Sequence, residues 1–182
     1  MVTPPRLRDY EWVQEMVVTL RGKDKIRRRE RCYFGEDSKI PELVPVVPDA
    51  AEEKRRRAIE FTKADADTMQ AARSMLGRYM MSMATVMDSL FKADPSVRRA
   101  TTGTFKLKDR PYPGQEFVIE VGMQGGWSIY EGEGAARHVI LATNTRYARV
   151  DDSTLAPITQ AIEVPRYGFR MIFEMSGLKK RS

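Results

Sequence analysis

Residues 49–93 contain no proline, and Gly77 is the lone glycine in a stretch that otherwise favours helix. The pattern predicts one long helix. Asp49 stands at its cap, Glu52 and Glu53 lie in its first turn, and Asp94-Pro95 stops it. Met69, Ala72, Leu76, Tyr79, Met83, Val86 and Leu90 recur at alternating steps of three and four, the spacing of a heptad seam. Met75, Met80, Met87 and Phe91 form a second stripe that widens the apolar face. Run straight, such a helix spans about 65 Å. A chain of 182 residues has a radius of gyration of only roughly 16 Å. The helix must therefore break near Ala64–Asp67, or project and meet a partner. The seam can cover the chain's own sheet or pair with a helix of another subunit, and its length argues for an oligomer.

The flanking segments are read around that helix. Residues 3–21 carry helix signals: Thr3 as cap, Pro4 at the first position, Arg21 in the last turn and Gly22 as terminator. The run Met16-Val17-Val18-Thr19-Leu20 favours a strand instead; helix is the preferred reading. Residues 25–34 predict a strand with Lys25, Arg27, Arg29 and Arg31 on one face. The opposite face mixes Ile26, Cys32 and Phe34 with Arg28 and Glu30, and a strand charged on both faces belongs at a sheet edge. Pro41, Pro45 and Pro48 punctuate an apolar extended arm over 35–48, in which Leu43, Val44 and Val46 are suited to lie against the chain's own core or a neighbouring subunit, the latter being the preferred reading. Residues 101–175 read as β, with strands at 102–108, 116–123, 126–131, 137–143, 146–150, 158–164 and 168–175. The expected fold class is α+β: a long central helix, a C-terminal antiparallel sheet or small barrel, an N-terminal helix or strand, and a proline-rich arm. One domain is expected.

Composition narrows the function more by exclusion than by assignment. A lone Cys32 rules out an internal disulfide, and with His138 it leaves two soft ligands where structural zinc needs four. No metal or cofactor is expected. His138 lies in Ala-Arg-His-Val-Ile-Leu-Ala and reads as a structural strand residue. No segment approaches the about 18 apolar residues of a spanning helix, and the first residues lack the apolar core of a secretory signal, so cytoplasmic synthesis is the expectation. The net charge of +6 is spread evenly, so a polyanion site must come from local clustering.

Two clusters meet that condition. Arg21, Lys23, Lys25, Arg27, Arg28, Arg29 and Arg31 precede Tyr33 and Phe34, which combines phosphate-pairing forks with stacking rings. Lys54-Arg55-Arg56-Arg57 point around most of a helix circumference, and Glu53 and Glu60 are near enough to pair with them. Gly122-Met123-Gln124-Gly125-Gly126-Trp127 lacks the Lys-Ser/Thr of a phosphate loop and reads as a hairpin turn. Asp151-Asp152 reads as a turn, and a metal nuclease built on it is disfavoured. The expected role is non-enzymatic: a structural or assembly subunit that oligomerises through the arm and the long helix. A viral or phage particle (capsid, tail or nucleoprotein) with an Arg-rich face for nucleic acid is one setting. The alternative is a monomeric or dimeric DNA- or RNA-binding regulator. No membrane or small-molecule substrate is evident from the sequence.

Overall fold

The computed structural model describes residues 7–36, 38, 40–93, 103–108, 116–121, 127–132, 134–151 and 154–181. Strands β1 (Tyr10–Leu20), β2 (Lys23–Phe34) and β3 (Pro41–Pro45) come first, followed by helices α1 (Ala50–Arg57) and α2 (Lys63–Ala93). Strands β4 (Gly103–Lys108), β5 (Glu116–Val121), β6 (Trp127–Glu131), β7 (His138–Asp151), β8 (Thr154–Val164) and β9 (Phe169–Lys180) complete the chain. They form a 9-stranded sheet in the order β3-β2-β1-β9-β8-β7-β6-β5-β4. Every neighbouring pair is antiparallel. Strands from the two ends of the sequence thus meet in the middle, where β1 pairs with β9.

This order explains the long helix. β3 and β4 are consecutive in sequence but lie at opposite edges, so their connection must traverse the whole sheet. The inter-strand steps sum to about 38 Å. The 31 residues of α2 rise about 46 Å, enough to serve as that strap. The expected single helix from Asp49 is broken over residues 58–62. Thr62 and Asp65 break it by forming a capping box: Thr62 Oγ1 accepts from the Asp65 N–H at 3.2 Å, and Asp65 accepts from the Thr62 N–H at 2.9 Å.

The α+β architecture with a central helix and a C-terminal sheet is therefore overturned. The molecule is mainly antiparallel β, its sheet draws on the whole chain, and the helices are a connection across it. The helix read at 3–21 is also corrected. Residues 10–20 form β1, and its buried residues Trp12, Val18 and Leu20 share one parity, as a strand with one covered face requires. Gly22 had a double meaning. It does not end a helix; with Arg21 it makes a two-residue hairpin turn, both at positive φ (50° and 77°). The cationic strand is an edge over only part of its length: the proline arm supplies β3, which pairs outside Glu30–Phe34, and the Val46 N–H reaches the Arg29 carbonyl, while the residues before Arg29 have no outer strand among the described residues. The expected strands at 137–143 and 146–150 are one continuous β7.

The core lies on one face of the sheet, under α2. Met69, Ala72 and Tyr79 of α2 pack with Val18, Leu20, Ile129, Ile140, Leu141, Ile162, Val164 and Phe169. Ala72 is 0% exposed, fully covered at the helix–sheet contact. A smaller apolar group holds the far end of β1 and β2, where Leu7, Trp12 and Cys32 are buried and the Trp12 and Phe34 rings lie 5.9 Å apart.

Candidate functional site

Three turns gather at one end of the strands: β1–β2 at Arg21-Gly22, β6–β7 with its 3₁₀ turn at Gly134–Ala136, and β8–β9 over 165–168. The Arg21 N–H donates to the Gly168 carbonyl at 2.7 Å and ties two of them together. Gly168 sits at φ 58°, and a Cβ there would lie 3.2 Å from the Arg21 nitrogen, so both conformation and space demand glycine. α2 crosses this end. The seam residues Met69, Ala72 and Tyr79 face the sheet, while the flank bearing Ala71, Ser74 and Met75 stands over a cleft of about 1060 Å³ that Tyr79 also lines. Helical spacing puts Ala71, Ser74 and Met75 on a stripe that meets the seam at Tyr79. Opposite them lie Glu131, His138, Val139, Ile140 and the short 3₁₀ turn Pro165–Tyr167.

The lining is chemically divided. Met75, Tyr79, Val139, Ile140 and Tyr167 give apolar and aromatic surface, and the polar groups sit at the lip. Glu131 and His138 face each other across β6 and β7, with Oε2 and Nε2 3.7 Å apart. The other ring nitrogen, Nδ1, lies 3.1 Å from the Ala136 carbonyl and donates to it, since a carbonyl only accepts. Arg166 is exposed, with its guanidinium over the ring of its neighbour Tyr167, 6.0 Å from the ring centre. Glu163, a carboxylate close by in sequence, is held by Arg170 at 2.9 Å. Sequence reading placed His138 inside a strand. It is the first residue of β7 and exposed. It missed this cleft because its walls come from α2, β6, β7 and the 3₁₀ turn. The one hint was Met75 in the second methionine stripe.

The cationic strand is neutralised in part by its own molecule, at Lys25 and Arg27. Arg27 is bonded to Glu15, two residues along β1 from its register partner Val17, and to Asp24 at 3.0 Å; both contacts hold its guanidinium still more firmly protonated, Asp24 most strongly. Lys25 departs from the parity predicted for it. The register jumps between Val18 and Thr19, so Lys25 is the extra residue of a bulge. It turns toward the helix, where Nζ meets Asp65 at 2.7 Å and donates to the Glu60 carbonyl at 2.9 Å. That lysine, with the Thr62 N–H, holds the Asp65 carboxyl down to about 2. Arg28, Arg29 and Arg31 stay exposed, Arg31 near the Tyr33 ring (5.9 Å), and Arg21 and Lys23 lie at the exposed turn. On α1, Arg56 and Arg57 bond back to Glu52 (2.7 Å) and Glu53 (3.0 Å), and Lys54 and Arg55 are exposed.

The residues expected at a subunit interface separate in the same way. Met69, Ala72 and Tyr79 are buried in the molecule's own core, and Leu76 packs against it. Met83, Val86 and Leu90 lie on α2, and their side chains fall outside the described residues. In the arm, Leu43 and Val44 are exposed and Val46 half-buried. The described part of the helix seam thus turns inward, and Lys25 and Arg27 are spent on ion pairs. Asp151 ends β7, and Asp152 lies outside the described residues. Among the described residues no three His, Cys, Asp or Glu side chains group to hold a metal ion, and no helix is long and apolar enough to cross a membrane.

No protein-family model and no curated protein matches the chain. Among solved structures, the crystal structure of a DUF1329 family protein from Desulfovibrio piger aligns with 97% of this chain and 87% of its own at 10% identity, with a TM-score of 0.36. A likeness that low supports no conclusion about fold or function.

Proposed function

We propose that the protein is a non-catalytic binding protein that takes a small amphipathic molecule into the cleft between α2 and the sheet. The cleft itself carries this reading. At about 1060 Å³ it matches the upper end of ligand sites, which are lined mainly by apolar and aromatic groups with a few polar ones fixing orientation. Met75 adds a wall that adapts in shape. The test is fluorescence titration with the neutral probe N-phenyl-1-naphthylamine. Ala71→Trp, on the half-buried helix flank, fills the cleft; Ala71→Ser leaves its volume nearly unchanged. Wild type and Ala71→Ser should bind the probe, and Ala71→Trp should lose about tenfold or more in affinity while melting as a folded protein. Equal binding by all three overturns the reading.

A second reading has its own observation. Ile40, Leu43, Val44 and Val47 of the arm are 73%, 50%, 37% and 88% exposed, a row of apolar side chains suited to self-association. Backbone pairing is not its mode. The Val46 N–H donates to the Arg29 carbonyl, so the alternation of an antiparallel ladder turns the backbone of residues 41, 43 and 45 away from β2. Two of those three are proline and have no N–H to give. Association would then run through side chains, and light scattering on wild type and Ile40→Asp/Val47→Asp should show a larger mass for wild type. Equal monomer masses remove this reading.

A further inference from the structure

We propose that the occupant of the cleft is an anionic amphiphile, an acyl chain ending in a carboxylate or phosphate, with its head on Arg166. This rests on reading the cleft as a ligand site and adds the ligand's charge and polarity. The lip holds three polar side chains, Glu131, His138 and Arg166. Glu131 and His138 face each other at 3.7 Å. Arg166 makes no ion pair among the described residues, because the neighbouring Glu163 is held by Arg170. A guanidinium presents a planar fork of donors that matches carboxylate and phosphate oxygens. Arg166 is also well placed to wait for an anion. Pro165 opens its turn, the Gly168 N–H closes it on the Pro165 carbonyl at 2.9 Å, and Arg21 locks Gly168 from β1–β2. The backbone of Arg166 is thus fixed before a ligand arrives. Inside the lip, Met75, Tyr79 and Ile140 offer the chain a surface with no charge. Charge outside and apolar surface inside fit a molecule of the same polarity.

The experiment displaces N-phenyl-1-naphthylamine with oleate, with oleoyl lysophosphatidate and with oleyl alcohol, on wild type, Arg166→Gln and Arg166→Lys. At least one anion should displace the probe about tenfold more tightly than the alcohol. Arg166→Gln should abolish that preference and leave alcohol binding unchanged, and Arg166→Lys should keep part of it. Whichever anion binds more tightly identifies the head as carboxylate or phosphate. Should the alcohol bind as well as both anions, or Arg166→Gln leave the preference intact, the charge assignment is overturned while the cleft remains a ligand site. Should the probe itself bind no better to wild type than to Ala71→Trp, the ligand reading fails first and takes this one with it.

Discussion

The helix seam and the proline arm are both apolar, and sequence gives both the same expectation of a subunit contact. The structure treats them oppositely. Met69, Ala72 and Tyr79 are buried against strands of their own chain, whereas Ile40 and Val47 stand in solvent. The difference lies in what each segment connects. α2 joins the two edges of the sheet and so must lie across its apolar face. The arm adds one strand at an edge, and an edge strand has nothing beyond it. Apolar spacing shows that a segment wants cover; topology decides whether the same chain supplies it.

That contrast can be broken most severely at Ala72. Ala72→Asp places an unpaired carboxylate at the fully covered helix–sheet contact and should cost about 3–5 kcal/mol or prevent folding; chemical denaturation measures it. The start of the strap comes next. Thr62→Ala removes the cap that redirects the chain into α2, at a cost of about 1 kcal/mol, read as a lower denaturation midpoint with an unchanged slope. Lys25→Met sharpens the same point through pH. The Asp65 carboxyl is held at about 2, below its ordinary 3.8. A lowered carboxylate contributes stability that is full above its unfolded value and is lost as pH falls through the folded one. Wild type should therefore weaken between about pH 4 and pH 2, and Lys25→Met should weaken less steeply across that window; parallel curves would mean that the bulged lysine does not anchor the helix. The smallest effect belongs to the arm. Val47→Asp, which adds the same charge as Ala72→Asp, should change stability by no more than about 0.5 kcal/mol, and a large loss in dilute solution would show that the arm is covered after all.

The methionine seam, the cationic strand, the apolar arm and most C-terminal strands were legible because each depends on local chemistry: spacing along a helix, alternation along a strand, prolines without N–H groups. The candidate site was far less legible. Tyr79 was visible as a seam residue, but its position beside Glu131, His138 and Arg166 requires four elements to meet. The parity that put Lys25 with Arg27 held everywhere except at the bulge, and a bulge is a property of two strands in register. Gly22 promised a break in the chain in either case; only pairing with β2 made it a hairpin turn rather than a helix end.

The sequence by itself determined where the chain can be helical, where it must turn, which faces are apolar and which side chains carry charge, because these follow from residue type and nearest neighbours. The tertiary structure alone decided that strands from both halves of the chain share one sheet, that α2 becomes a strap instead of a projection, that carboxylates of β1 and α2 neutralise part of the cationic strand, and that one lip cation has no carboxylate partner among the described residues. Each of those depends on residues far apart in sequence, and their proximity is set by which strands pair.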